Sequence, residues 1–428
     1  MEVSGTAFSF EISDSWEIIP SEGMVVVSAE PGYLNFRPTF VLREFRIDDF
    51  RPDVLASISQ ANLRGLPETM QGAYAVQVEA IPDGNAGPGP RERRRITALA
   101  PMLPPNKDAL GLLMIQDLLV VGEAVAELTL TVPVMSWQPD GLIQQTLNTL
   151  RPLPRPGLPE TVVQVPNAEL DQWATARDGA PREKVAVQGH LPLALLGKVF
   201  ALSITAMSEL KDLAPSRFFG RKVRQPALRD ELAAAGIVDA DGKPTEVGTS
   251  LLDIIQHGNA WSLEVSGLME DARSIEGWGV EDASLLFVGP SPKDPIDGMG
   301  FVGYCSTDDL PRVLLMWSGT QPGWQMSFRL PELSARDVAG RLIDVPISYQ
   351  LDDDAAEFES QPWRCFSYSD VTGKEGVTWV TTPDRGAALC TQGAEHDHWV
   401  LTSFDRQPLW AYLAAAAMTI SYGENDGL

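Results

Sequence analysis

Cysteine is nearly absent from this chain. Three residues, Cys305, Cys365 and Cys390, stand far apart in 428 positions. With an odd total and no CxxC pair, neither a zinc ribbon nor a disulfide framework is indicated. Positive charge is scarce as well: 33 Lys and Arg face 58 Asp and Glu, for a formal net charge of −25 at pH 7. A surface that acidic repels nucleic-acid phosphates, whose capture depends on cations displacing counterions. It is repelled by anionic lipid for the same reason. The acids are spread along the chain, so they read as a solvated surface rather than an acidic tail. The longest apolar window, ALGLLMIQDLLVVGEAVAELTLTV, is broken by Asp117, Glu123 and Glu127 and cannot span a bilayer cheaply. The opening MEVSGTAFSFEISDSW carries acid where a secretory signal needs basic residues. These absences point to a soluble, cytoplasmic protein.

Catalytic signatures are missing too. There is no GxSxG elbow and no HExxH zinc motif. GMGFVG, from Gly298 to Gly303, matches GxGxxG, but it follows the loop SPKDPID and precedes YCSTDDLP. A phosphate site needs a helix N-terminus there, so a glycine-rich hairpin turn is expected instead. The triplet Asp352–Asp354 reads as a solvated loop, because consecutive carboxylates diverge. DADGKPTEVG lacks the spacing of a calcium loop. In EHDHW, His396 and His398 would share one face of a strand, but no third ligand is nominated, and an exposed polar turn is expected. Arg91 and Arg93–Arg95 read as charge on a solvated edge strand. No catalytic residue, cofactor or metal is therefore expected, and the chain is not read as an enzyme.

The length predicts two or three domains, and 44 % hydrophobic residues supply ample core. Four prolines in RPLPRPGLPE, residues 151–160, mark the clearest boundary. The division expected is a first domain over 1–151, a linker over 152–166 and a second domain over 167–428. Before the boundary, FSFEI, MVVVSAE, FVLREFRI, AYAVQVEAI, RRITALAP, LGLLMIQDLLVV and AELTLTVPV read as strands. Helices are predicted near Asp53–Leu63 and over PDGLIQQTLNTL. After the boundary, HLPLALLGKVFALSITAMSEL reads as a helix. The strands that follow are AWSLEVSGL, ASLLFVG, FVGYCST, RVLLMW and WQMSFRL, the last two joined by a hairpin at SGTQPG. A helix over Ser334–Ile343, four further strands and a terminal helix from Pro408 complete an α+β order.

The most legible run is LRDELAAAGIVDADGKPTEVGTSLLDII, Leu228 to Ile255: helix, tight turn at Asp239–Gly242, and a second helix capped by Thr245. One reading is a winged-helix reader of DNA, supported by the basic run RFFGRKVRQPALR. Against it stand the charge of −25 and a second helix, TSLLDIIQHG, that carries Asp253 where phosphate would sit. Trp278, between Gly277 and Gly279 in SIEGWGVE, reads as an aromatic on a flexible loop. Tryptophan is enriched among binding hot spots. Trp278, Ile275 in the same stretch, and Arg221 and Arg224 in the basic run are the residues named for partner binding. Trp324, Met326 and Phe328 alternate and read as core.

Two resemblances sharpen these expectations. FSFEI…SWEII, NFRPTFVLREF and the closing LTLTVP strand with its amphipathic helix resemble the PsbP-like family, which includes the LpqN-type proteins. This implies an α/β/α sandwich around an antiparallel sheet over roughly residues 6–152. LRDELAAAGIVDADG resembles a phrase of the EspG family, the cytosolic chaperones of type VII secretion, and residues 187–422 follow that family's element order. The implied body is larger, with a central antiparallel sheet and flanking helices. Its implied role is non-catalytic: to hold the tip of a helical-hairpin substrate of PPE or WXG type. An immunity protein for a secreted toxin is a related alternative.

Overall fold

The computed structural model describes the chain apart from residues 33–34, 83–91, 103–109, 139–140, 186–196, 214–221, 267–273, 281–282, 290–298, 375, 396, 405–407 and 423–428. It is an α+β protein built mainly on antiparallel sheets. Contacts divide it into two units. The first comprises the described residues of Met1–Met102, Leu110–Gln188 and the short segment Gln321–Gln325; the second comprises those of Gly189–Thr320 and Met326–Leu428.

The first unit is centred on a sheet in the order Glu17–Ile19, Met24–Ser28, Thr39–Ile47, Ala124–Pro133, Leu110–Val121, Glu92–Met102 and Tyr74–Pro82. Alternation along each strand gives it two apolar faces. On one, Phe45, Val78, Ile96, Ala98, Leu118 and Val125 pack under α1 (Val54–Thr69), whose Val54, Ile58, Leu63 and Leu66 form a buried stripe. On the other, Phe40 receives Phe10 and Trp16, with ring centroids 5.9 and 5.3 Å away. Phe10 belongs to a small sheet of Glu2–Ser4, Phe8–Glu11 and Arg151–Pro152. Leu147 of α2 (Leu142–Asn148) and Leu150 are buried as well.

The proline-rich stretch read as a spacer is stitched onto this unit. Arg151 and Pro152 pair with Ser9 and Phe8, and the Leu153 and Gly157 amides reach the Ala7 and Thr6 carbonyls. Val162–Val163 then runs parallel to Arg46–Ile47. Proline at a sheet edge gives up no ladder bond the sheet needs. A third helix, α3 (Gln172–Asp178), is capped by the Asp171 carboxylate, which accepts from the Ala174 amide at 3.0 Å.

The arginine run corrects the sequence reading; Arg91 lies outside the described residues. Arg93, Arg94 and Arg95 are buried, on a strand flanked on both sides. Arg95 makes a two-pronged ion pair with Asp117 at 2.6 and 2.7 Å. Arg93 donates to the Leu147 and Leu150 carbonyls at the C-terminal end of α2, where helix carbonyls lack partners of their own. Arg94, on the opposite face, reaches the Glu183 carboxylate at 3.2 Å and the Pro181 carbonyl at 2.7 Å. Three charges in a row looked like solvated surface because their partners are remote in sequence.

The second unit carries a ten-stranded sheet in the order Gly197–Ser203, Met299–Ser306, Ala283–Val288, Ser274–Val280, Asn259–Ser266, Arg364–Asp370, Gly376–Thr382, Gly386–Gln392, His398–Ser403 and Leu333–Ser334. One face buries Trp278, Leu285, Phe287 and Val302 together with residues of α4 (Ile204–Leu213), α5 (Pro226–Ala234) and α6 (Glu246–His257). The other face carries Trp261, Phe366 and Trp379. There Trp317 of α7 (Leu310–Ser318) meets Phe366 edge-on at 6.5 Å. Of the remaining helices, α8 (Ala335–Arg341) and α9 (Asp353–Glu359) follow in the chain, and α10 (Leu409–Tyr422) ends the description.

Several elements differ from expectation. RVLLMW forms α7, not a strand: a run buried all round has no period to reveal its type. SGTQPG is the end of that helix, with Gly319 at φ +68°, rather than a hairpin. WQMSFRL is extended and joins its neighbours only through isolated bridges at Trp324 and Arg329. Gly197–Ser203 is a strand where a helix was expected, and the strand expected at FVGYCST begins at Met299, so it takes in the described part of the GxGxxG phrase read as a turn.

The glycines beside Trp278 are not hinges. Trp278 sits in the strand Ser274–Val280, and a Cβ on Gly277 would lie 2.1 Å from the Trp261 indole directly opposite. A Cβ on Gly279 would meet Ser421 of α10 at 2.9 Å. Gly277→Ala is expected to destabilise the second unit by about 1–3 kcal/mol through overpacking, measured by chemical unfolding. A change below about 0.5 kcal/mol would contradict this packing.

Candidate functional site

The titratable groups that chemistry would need are mostly committed to structure. Burial pushes the Cys365 and Cys390 thiols up to about 12, and the buried Cys305 thiol is raised well above its ordinary value. In each case burial favours the protonated thiol, the less reactive form. Asp309 and Arg312 form a buried two-pronged pair, both bonds 2.6 Å long. Arg177 and Arg182 hold the Asp178 carboxyl low despite burial that would raise it. The triplet Asp352–Asp354 also has structural work. Asp352 caps α9 by accepting from the Ala355 amide at 2.7 Å, and Asp354 accepts the Ser327 amide at 2.9 Å.

An ordered apolar turn stands out on the second unit. Ser334 and Asp337 close a capping box at the start of α8, and hydrogen bonds from Ser334 hold the Asp337 carboxyl below its usual value. At the other end of α8, Arg341 is buried. It donates to the Glu359 and Gln361 carbonyls at 2.7 Å each, pairs with the Glu359 carboxylate at 3.2 Å and stacks over Trp363 at 5.1 Å. With its base pinned, the chain reverses. The Ile343 and Val345 amides return to the Gly340 carbonyl, and Asp344 takes φ +59°, a left-handed conformation that aspartate tolerates. The far limb is tied by the Ile347 amide to Glu359 Oε1 at 3.1 Å and by the Tyr349 hydroxyl to Asp337 Oδ2 at 3.4 Å.

The outcome is three large side chains held out in water: Ile343 is 46 %, Val345 52 % and Tyr349 43 % exposed. Single exposed apolar residues need no explanation, but three on one hydrogen-bonded turn make it the candidate contact surface. Asp344, Asp352 and Asp353 flank it, also exposed. Such an arrangement can bind by burial and steer by charge.

The residues named from sequence are elsewhere. Trp278 is only 7 % exposed, edge-on to Phe287 at 5.0 Å, and Ile275 is fully buried, so neither is presented to a partner. Arg224 is exposed, and Arg221 lies outside the described residues. The turn 343–349 was missed because the predicted helix ran to Ile343, leaving Val345 and Tyr349 in unremarked loop. The signal was present in DVPISY: apolar residues around a proline, where no helix or strand could bury them.

The helix–turn–helix at Leu228–Ile255 forms as read. Thr245 Oγ1 accepts the Gly248 amide at 3.2 Å, and Asp239 Oδ1 accepts the Asp241 and Lys243 amides at 2.9 Å each. A Cβ on Gly248 would sit 2.0 Å from the Ile237 carbonyl, which fixes how closely turn and helix pack. The exposed residues of α6 are Glu246, Val247, Thr249, Ser250, Asp253, Gln256 and His257. That face offers no Lys or Arg to a phosphate backbone.

No protein-family model matches the chain, and no curated protein matches it. Among solved structures, LpqN of Mycobacterium tuberculosis, described as involved in cell envelope biogenesis, aligns at 13 % identity and a TM-score of 0.23. The match covers 34 % of this chain and 83 % of that one. A protein of Bacteroides thetaiotaomicron VPI-5482 aligns at 9 % identity and a TM-score of 0.20, covering 63 % and 83 %. The likeness to LpqN suggested by the N-terminal phrases is thus present only at this low level, and neither match indicates what the chain does. Among the described residues, no helix is long and apolar enough to cross a membrane.

Proposed function

We propose that this chain is a non-catalytic binding protein, a cytosolic chaperone or adaptor for a helical-hairpin substrate of a type VII secretion system, of PPE or WXG type. The observation that carries the binding reading is the pinned turn 343–349, which holds Ile343, Val345 and Tyr349 in water at the cost of a left-handed aspartate. The partner class rests on the phrase LRDELAAAGIVDADG and its resemblance to the EspG chaperones. The tip of a helical hairpin exposes apolar side chains that self-associate, and burial against this turn would withhold them until export. A patch of about 800 Å² on each partner is the usual scale of such contact. The excess of acid on the chain would keep the loaded complex in solution.

Co-purification of the full chain from its native host, followed by mass spectrometry, tests the partner class. The expected result is a small helical protein in a 1:1 complex, with amide exchange slowed at residues 343–349 on binding. Recovery of a globular toxin on the same surface would favour the immunity reading. Exchange unchanged across the turn in a purified complex would contradict the assigned surface.

A further inference from the structure

A second surface feature lies at the start of α8, and it is built from other side chains than those of the turn 343–349. In the polar loop before the strand His398–Ser403, the sequence offers His396 and His398 as donors, with Cys390 nearby, and no metal is expected there. His396 lies outside the described residues, but His398 is brought against two carboxylates instead. His398 Nδ1 lies 3.1 Å from Asp397 Oδ1 and 3.3 Å from Glu395 Oε2. One ligand atom from each of the three lies within 4.8 Å of the others.

We propose that Glu395, Asp397 and His398 form a binding site for a divalent transition cation, of which Zn²⁺ fits the donor set best. Ligands about 2.0–2.2 Å from a tetrahedral ion stand roughly 3.4 Å from one another, so the two distances from the imidazole nitrogen already suit a shared ion. The backbone is held in this shape by bonds that do not involve the three side chains. The Gly393 amide donates to the His398 carbonyl at 2.6 Å, and the Ala335 amide donates to the Asp397 carbonyl at 2.9 Å. The Glu332 carboxylate accepts the Ala394 amide, and His398 pairs in register with Ser334 on the neighbouring strand. The donors are thus set by the sheet edge rather than gathered by the metal.

An imidazole nitrogen beside two carboxylates selects first-row transition ions over Mg²⁺ and Ca²⁺, which take oxygen ligands. Glu395 and Asp397 are 75 % and 76 % exposed, which leaves the remaining coordination positions to water. That describes an exchangeable site, not a closed structural one. The competing arrangement is a protonated imidazole between two carboxylates, which needs the same geometry and takes up no metal.

Titration of the full chain at pH 7.5 with Zn²⁺ by calorimetry, and with Co²⁺ by visible absorption, separates the two. The expected result is one saturable ion per chain, unaffected by millimolar Mg²⁺. His398→Gln and Asp397→Asn should each weaken it by at least about tenfold, the lower end of what losing even an outer-sphere partner costs. Unaltered circular dichroism of the variants would show that the fold is intact. Absence of saturable uptake, unchanged affinity in His398→Gln, or equal displacement by Mg²⁺ would overturn the assignment.

Discussion

Trp324→Ala is expected to cost the first unit about 3–5 kcal/mol, the usual loss when a buried tryptophan is truncated. The residue is 4 % exposed, and its indole nitrogen donates to the Glu183 carbonyl at 2.9 Å. Two guanidiniums lie over its ring, Arg94 at 4.9 Å and Arg182 at 5.2 Å. Those cations are themselves held by acids: Arg94 by Glu183, and Arg182 by Glu92 and Asp178. Removing the indole leaves a cavity, an orphaned carbonyl and two cations without the ring that covered them. Native-state hydrogen exchange at the strand Glu92–Met102 reads this loss locally. Protection there unchanged to within about 1 kcal/mol would contradict the placement of Trp324 in this unit's core.

Asp117→Ala is expected to be as severe, about 3–5 kcal/mol, because it strands the Arg95 cation inside the sheet. Burial alone would lower the Arg95 pKa, but the hydrogen bonds and charge of Asp117 outweigh it and raise the pKa, so the residue stays charged. The carboxyl of nearby Glu79 is raised as well, chiefly by burial, which for an acid favours the neutral form. Folding therefore favours the protonated form of Glu79. Its contribution to stability is full below the unfolded-state value and falls as pH rises through the raised one. Replacing both partners of the buried pair, Arg95→Met with Asp117→Leu, should restore most of what the single change loses. Chemical unfolding of the wild type and these two variants measures the difference. A double variant no more stable than Asp117→Ala would mean that the pair is not what the single change breaks.

Much of this architecture was legible in the sequence because alternation and capping are local signals. The strands FVLREFRI and AELTLTVPV and the Thr245-capped helix could each be read from a few neighbouring residues. What could not be read depended on partners remote in sequence. Arg93–Arg95 look solvated until Asp117, Glu183 and the end of α2 are brought to them. Gly277 looks flexible until Trp261 is laid across it. RVLLMW carries no period because α7 is buried on every side. The turn 343–349 was missed on the same grounds: Trp278 has the composition of a hot spot, but exposure is decided by packing, and packing put Ile343, Val345 and Tyr349 outside instead.

The measurement that bears most directly on the proposed role is the affinity of the purified partner for wild-type chain and for a Val345→Asp/Tyr349→Ser variant, by calorimetry. Both residues are exposed, so the variant should fold, with thermal stability lowered only by the loss of the Tyr349–Asp337 hydrogen bond. Binding should weaken at least about a hundredfold, or roughly 2.7 kcal/mol. A variant that folds normally and binds its partner as tightly as wild type would contradict the claim that this turn is where the protein works.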